Sequence, residues 1–244
     1  MPVFAIGDIH GELEMLRAAH RRIERIAGRD AEIVHVGDLL DRGPDSRGVV
    51  DYLRDGQLAG RNWVVVKGNH DRFLPKFILE PEWIDPSLTS GRHWIDHDAL
   101  GAPATLASYG VDIEGPRWTL HERTLQAVPR EHIDWLTNLP LWHLRPEALF
   151  VHAGIRPGVD LGDQIEQDLV WIRPEFLNDP RDHGILVVHG HTPVKTVEHH
   201  GNRLAIDTGA VFGGTLSAVE ISDEAVHLVT EDGRAPILPL TKGR

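Results

Sequence analysis

Over the first third of the chain, short apolar runs alternate with stretches whose apolar residues recur at helical spacing. Val3–Ile6 reads as a buried strand ending at Gly7. After Gly11, Leu13, Leu16, His20, Ile23 and Ile26 fall on one helix face. The pattern then repeats, with Ile33–Val36 as a second strand, Asp45–Leu53 as a helix and Trp63–Val66 as a third strand. Two successive strand–helix–strand units predict a parallel sheet. Residues 80–118 lose this periodicity, and Pro81, Pro86, Gly91, Gly101, Pro103 and Gly110 punctuate an irregular, partly helical insertion. Pro129 opens a helix pattern running to Leu136, and Leu141–Leu144 and Ala148–Val151 read as paired strands. From Ile185 onward the chain is strand-rich, with runs at Ile185–Val188, Val194–Glu198, Leu204–Ile206, Leu216–Ile221 and Val226–Val229. Gly, Asn and Asp turns separate them, so an antiparallel second sheet is expected there. Residues 240–244 read as a frayed end.

Composition narrows the chemistry. At 244 residues and 41% hydrophobic content the chain can bury one large core, and a single domain over 1–244 is expected because polar motifs run from one end to the other. There is no cysteine, which excludes disulfides, thiolate metal sites and cysteine nucleophiles; any metal must be held by oxygen and imidazole nitrogen. The net charge is −12, from 37 acidic and 25 basic residues, so a nucleic-acid backbone is not the expected partner. An anionic substrate stays compatible with that balance, since local cations can outweigh a diffuse negative surface. No stretch approaches a membrane span and the first apolar run is too short for a signal segment, so a cytoplasmic protein without a membrane partner is expected. Of the 16 histidines, His199, His200 and His227 lie in the strand-rich tail without partner spacing and are not assigned a role.

Three polar motifs follow the first three strands: Gly7-Asp8-Ile9-His10-Gly11, Gly37-Asp38-Leu39-Leu40-Asp41-Arg42-Gly43 and Gly68-Asn69-His70-Asp71. The carboxyl ends of parallel strands lie along one sheet edge, and ligands bind in the crevice outside it. Asp8, Asp38 and Asn69, thirty and thirty-one residues apart, should therefore converge. Asp8 and His10 are two apart in extended chain and point the same way. His152 and His191 each follow a later apolar strand. A single Asp-x-His is commonly just a turn, and a lone histidine after a strand is commonly a hydrogen-bonded rim residue. Six such donors at one edge are a different matter, because buried carboxylates and imidazoles each cost several kcal/mol to desolvate unless cations pair them. Oxygen and imidazole ligands without sulfur suit Mn²⁺, Fe or Zn²⁺.

In order, these residues resemble the motifs of the phosphoprotein phosphatase family of calcineurin-like metallophosphoesterases: GD-x-HG, GD-x-x-DRG, GNH-D, then His152-Ala153-Gly154 and Gly190-His191. The match covers about residues 5–215. Leu169-Val170-Trp171-Ile172-Arg173, Thr192-Pro193 and Asp207-Thr208-Gly209-Ala210-Val211 are similar to the bacterial and bacteriophage branch, of which bacteriophage lambda protein phosphatase is typical. The resemblance implies an α/β sandwich of two mixed sheets packed face to face and flanked by helices. It implies two divalent ions, Mn²⁺ in the first place with Fe or Zn²⁺ as alternatives. Asp8 and His10 would hold one, Asp38 would bridge, and Asn69, His152 and His191 would hold the other. Arg42 and Arg173 would clamp the phosphate together with Asn69. His70, oriented by Asp41, would protonate the leaving alkoxide. The implied reaction is hydrolysis of phosphoserine or phosphothreonine in proteins, with phosphotyrosine and small phosphoesters as further substrates, by direct attack of a hydroxide bridging the metals.

Other readings give different expectations. A metallophosphodiesterase would carry a second histidine where Pro193 stands. A symmetrical dinucleoside tetraphosphate hydrolase shares the first three motifs but usually lacks Thr-Pro after the late Gly-His. A catalytically silent metal-binding module would be expected to have lost some of these residues. Residues 80–118, with Trp83, Trp94 and Trp118, are expected to form the wall or lid that selects the substrate, whereas Trp171 reads as a packing anchor. Oligomeric state has no signature in the chain.

Overall fold

The computed structural model describes residues 2–240, so Met1 and most of the expected frayed end, 241–244, lie outside the described residues. Strand β1 (Val3–Ile6), helix α1 (Leu13–Ala27), β2 (Ile33–His35), α2 (Ser46–Leu58) and β3 (Trp63–Val65) form the two expected strand–helix–strand units. They are parallel throughout, with Phe4 paired to Ile33 and Ile33 to Trp63. Helix α1 buries Leu13, Leu16, Ala19, His20 and Ile23, and ends at Gly28 with φ 83°. Asp45 caps α2 by accepting the Gly48 amide at 2.8 Å. Helices α3 (Phe73–Leu79), α4 (Ala102–Ser108), α5 (Arg117–Ala127) and α6 (Arg130–Thr137) follow, with two short 3₁₀ turns between α3 and α4 in the irregular region.

The second half holds β4 (Trp142–Leu144), β5 (Ala148–Val151), α7 (Glu166–Trp171), α8 (Pro174–Leu177), β6 (Leu186–His189), β7 (Glu198–His199) and β8 (Arg203–Ala205). The last three strands are β9 (Ala218–Ile221), β10 (Val226–Thr230) and β11 (Gly233–Pro236). One sheet runs β11-β10-β9-β1-β2-β3 and the other β4-β5-β6-β8-β7. Both are mixed. The expected antiparallel second sheet is therefore corrected in two respects. Strands β5, β6 and β8 are mutually parallel, and β9, β10 and β11 join the first sheet through an antiparallel β1–β9 pair. Apolar alternation defines which face of a strand is buried, not which strand lies beside it. The expected strand Val194–Glu198 shrinks to a two-residue pairing, since Val194 gives its amide to Asp207 O at 2.9 Å instead.

Alternation along β1 and β2 sorts the layers. Val3, Ala5, Val34 and Val36 face the other sheet, where they meet Phe150, Val188, Leu204 and Ile206. Phe4, Ile6 and Ile33 face outward onto Leu16 and Ile23 of α1 and Val49 and Leu53 of α2. On the far side, Leu149, Val151 and Val187 pack on Leu169, Ile172 and Phe176. The sandwich thus has sheet against sheet with helices on both outer faces. It follows that β1, β2, β3, β5 and β6 are apolar on both sides, which is why their sequences read as continuous runs. No helix among the described residues is long and apolar enough to cross a membrane.

Candidate metal centre

Every motif begins where a strand of the sandwich ends: Asp8 after β1, Asp38 after β2, Asn69 after β3, His152 after β5 and His191 after β6. Backbone hydrogen bonds bind the loops together. The amides of Ile9 and His10 both donate to Asp38 O, at 3.1 and 2.7 Å, and Gly190 N donates to His152 O at 2.8 Å. Asp71, fully buried, accepts Leu39 N and Gly68 N at 2.8 Å each and so clasps the second loop to the third. Among the described residues the non-glycine positions with positive φ are His10, Asp38, Asp41, Arg42 and His191, all at this site. Such conformations cost of order 1–3 kcal/mol each and persist only where the surroundings impose them. Gly190 is required by close approach, since a Cβ there would overlap Asp8 Oδ1.

Asp38 is the hub. One group of potential ligand atoms comes from His10, Asp38 and His70, another from Asp38, His152 and His191, and within each group the atoms lie within 4.8 Å of one another. His10 Nδ1 donates to Leu40 O at 2.7 Å and His152 Nδ1 to Val36 O at 2.8 Å. A carbonyl can only accept, so in both rings the proton sits on Nδ1 and the Nε2 lone pair points inward. These lone pairs face Asp38, at 3.5 Å from His10 and 3.3 Å from His152, and Asn69 Oδ1 lies 3.0 Å from His152 Nε2. At His152 acceptors thus face acceptors, whereas His10 Nε2 also accepts from the Arg42 guanidinium. His191 Nε2 and Asp8 Oδ1 are buried without any hydrogen-bond partner, and Asp8 Oδ2 accepts the His191 amide at 3.0 Å. Burial lowers the pKa of His10 to about 3 and shifts His152 and His191 down as well, which keeps these rings neutral. Burial, with Asp207 and Asp38 close by, raises Asp8 well above the ordinary carboxylate range. Cations would relieve all of this at once, and the donor set is the oxygen and imidazole mixture that suits them.

Beside the hub, His70 Nδ1 donates to Asp41 Oδ2 at 2.7 Å. Asp41 has no exposed surface. Its carboxylate also accepts Trp94 Nε1 at 3.0 Å and Thr105 Oγ1 at 2.7 Å. Neither Trp94 nor Thr105 belongs to a motif, and no spacing in the sequence marks them. Asp207, from the motif shared with the bacterial branch, accepts the Gly209 amide at 2.9 Å and lines the site next to Asp8. Arg42 hydrogen-bonds His10 Nε2 and donates to Ala99 O at 3.4 Å.

These side chains line a cavity of about 220 Å³ that includes Asp8, His10, Asp38, Asn69, His70 and His191 as well as Arg42 and Arg173. His152 is fully buried behind it. All ten candidate residues are thus brought together, and the His70 ring lies close to the His10 and Asp38 ligand atoms. The segment 80–118 does reach the cavity, but not through its tryptophans. Trp83, Trp94 and Trp118 do not line the cavity; Leu88 and Leu100 represent residues 80–118 there. Trp94 is buried beneath Asp41, whereas Trp118 is 55% exposed. Trp171, expected to be only an anchor, does line the cavity while its Nε1 donates to Asp85 Oδ2 at 3.1 Å.

The family model described as calcineurin-like phosphoesterase matches residues 1–216. The chain belongs to this family. A bis(5'-nucleosyl)-tetraphosphatase PrpE [asymmetrical] of Anoxybacillus flavithermus is 28% identical over 240 residues, covering 88% of each chain. Serine/threonine-protein phosphatase 1 of Salmonella typhimurium is 28% identical over 228 residues, covering 90% of this chain and 91% of its own. Among solved structures, the cold-active protein-tyrosine phosphatase of a Shewanella species superposes with TM-score 0.60 at 14% identity, over 97% of this chain and 80% of that one. At that identity the superposition establishes the fold of this calcineurin-like phosphoesterase and nothing finer. The family is one of phosphoesterases, and the names of these two curated relatives differ in substrate.

Proposed function

We propose that the chain is a two-metal phosphomonoesterase, acting on phosphoserine or phosphothreonine borne by proteins. The observation that carries this reading is the convergence of buried, unprotonated donors on the single carboxylate of Asp38, with a His–Asp pair and two arginines at its edge. Asp8, His10 and Asp38 would hold one ion, and Asp38, Asn69, His152 and His191 the other. Two divalent ions held there would polarise the phosphoryl group and lower the pKa of a bound water. Arg42 and Arg173 would hold the phosphate oxygens, a planar fork being suited to them. His70 would give its Nε2 proton to the departing alkoxide, and Asp41 fixes the ring by accepting from Nδ1.

A second reading, cleavage of a dinucleoside polyphosphate, is favoured by the name of the PrpE relative at 28% identity. Hydrolysis of a phosphoserine peptide and of a dinucleoside tetraphosphate, compared after loading with Mn²⁺, separates the two. The roles are tested by His70→Asn, which should retain both ions while turnover falls by ~10²–10⁴. Loss of an ion in that variant would make His70 a ligand and overturn the assignment of the proton donor.

A further inference from the structure

At the mouth of the cavity stands Phe212, with 67% of its surface exposed. Its backbone is firmly held. Ala210 is buried, and the amides of Phe212 and Gly214 both donate to Gly209 O, at 2.9 and 3.0 Å. Gly209 and Gly213, at φ 66° and 88°, bracket the turn in a conformation that glycine adopts without strain. A rigid turn thus holds a large apolar ring out to solvent beside the catalytic cleft. The Arg42 guanidinium lies 5.5 Å from the ring centre. Leu88, Trp171 and Pro193, exposed or half-buried, add apolar surface around the same cavity.

We infer that Phe212 is a specificity-determining shelf on which an aromatic or heteroaromatic ring of the substrate stacks while its phosphate meets Arg42. This rests on the phosphoesterase reading and, at the same site, favours a ring-bearing substrate over the phosphoserine or phosphothreonine proposed above. A phosphate held by Arg42 leaves its esterified group at the mouth, within reach of a ring that already lies against the same guanidinium. A planar ring gains from stacking there, and an alkyl phosphate such as phosphoserine gains nothing. Such rings come from two sources, the base of a nucleotide and the phenol of phosphotyrosine.

The test compares the Mn²⁺-loaded wild type with Phe212→Ala, Phe212→Leu and Phe212→Trp on diadenosine tetraphosphate, a phosphotyrosine peptide and a phosphoserine peptide lacking aromatic residues. Phe212→Ala should raise KM for a ring-bearing substrate about 5- to 50-fold more than for phosphoserine, with kcat ratios preserved. Phe212→Trp should restore the preference and Phe212→Leu should not. The arm that moves names the source of the ring. An equal change in all three arms would mean that Phe212 only supports Arg42, and no change in any would also overturn the shelf. Calorimetry with phenylphosphonate against methylphosphonate, neither of them hydrolysable, gives an answer independent of turnover: the phenyl preference should vanish in Phe212→Ala. If the phenyl preference holds while none of the three substrates is cleaved, the shelf stands and the phosphoesterase reading falls.

Discussion

Thr105→Val probes the least conspicuous part of the centre. Thr105 Oγ1 donates to Asp41 Oδ1 at 2.7 Å and accepts Asp41 N at 2.9 Å, within a fully buried cluster. Valine has nearly the same shape, so no cavity opens. What is lost is one of the three side-chain donors to a buried carboxylate, the others being His70 and Trp94. The Asp41 amide keeps Ser46 Oγ at 3.1 Å and is not orphaned. A hydrogen bond to a charged group contributes ~1.5–3 kcal/mol, so the variant should lose about 2 kcal/mol of stability. For a chain of this size that lowers Tm by about 4–8 °C. Turnover should fall about tenfold with KM little changed, because Asp41 holds His70 less firmly. Thermal melts and initial rates on a phosphopeptide measure both, and Thr105→Ser, which keeps the hydroxyl, should behave as wild type. Wild-type melting in Thr105→Val would refute the claim that this hydroxyl supports Asp41.

Three further outcomes are expected. Gly190→Ala forces a methyl onto Asp8 Oδ1 and should cost about 1–3 kcal/mol as an overpacked site while lowering metal content; wild-type melting with full occupancy by elemental analysis would contradict it. Tyr52 donates to His20 Nδ1 at 3.2 Å, His20 Nε2 meets His35 Nε2 at 2.9 Å, and His35 Nδ1 donates to Val64 O at 2.9 Å, a chain of neutral rings. Burial holds His35 down to about 4 and His20 to about 2, against an ordinary 6.5, so the unfolded chain takes up protons first. Their contribution is complete above pH 6.5 and is lost as pH falls, about 3 kcal/mol for His35 alone by pH 4; urea midpoints that stay flat from pH 7.5 to 5, or His35 titrating near 6.5 by NMR, would exclude this. Chelation followed by dialysis should abolish phosphopeptide turnover, and Mn²⁺ should restore it; full activity in the chelated protein, with metal absent by elemental analysis, would remove the metals from the reaction.

The centre was legible in the sequence because its residues follow a local rule: an apolar run, a glycine, then a polar residue at the strand end. Asp8, Asp38, Asn69 and His191 obey it, His152 follows its strand directly without the glycine, and strand-end convergence does the rest. Sheet membership obeys no local rule. Strands β8 and β9 are both buried along their whole length, yet β9 pairs with β1 and β8 with β6. Strand β11, Gly-Arg-Ala-Pro, alternates between half-buried and exposed positions and carries no apolar signal. Trp94 and Thr105 were invisible for a related reason: each serves Asp41 through a single atom, and one hydrogen bond leaves no periodicity behind. Phe212 is hidden in the opposite way, since nothing local in Ala210-Val211-Phe212 shows that a turn closed by two left-handed glycines carries the ring outward. Sequence thus exposes the residues that would hold the ions, because their chemistry and their strand-end positions coincide. The residues that tune Asp41 and frame the mouth act through tertiary placement, so substrate choice is the property that must be read from the fold.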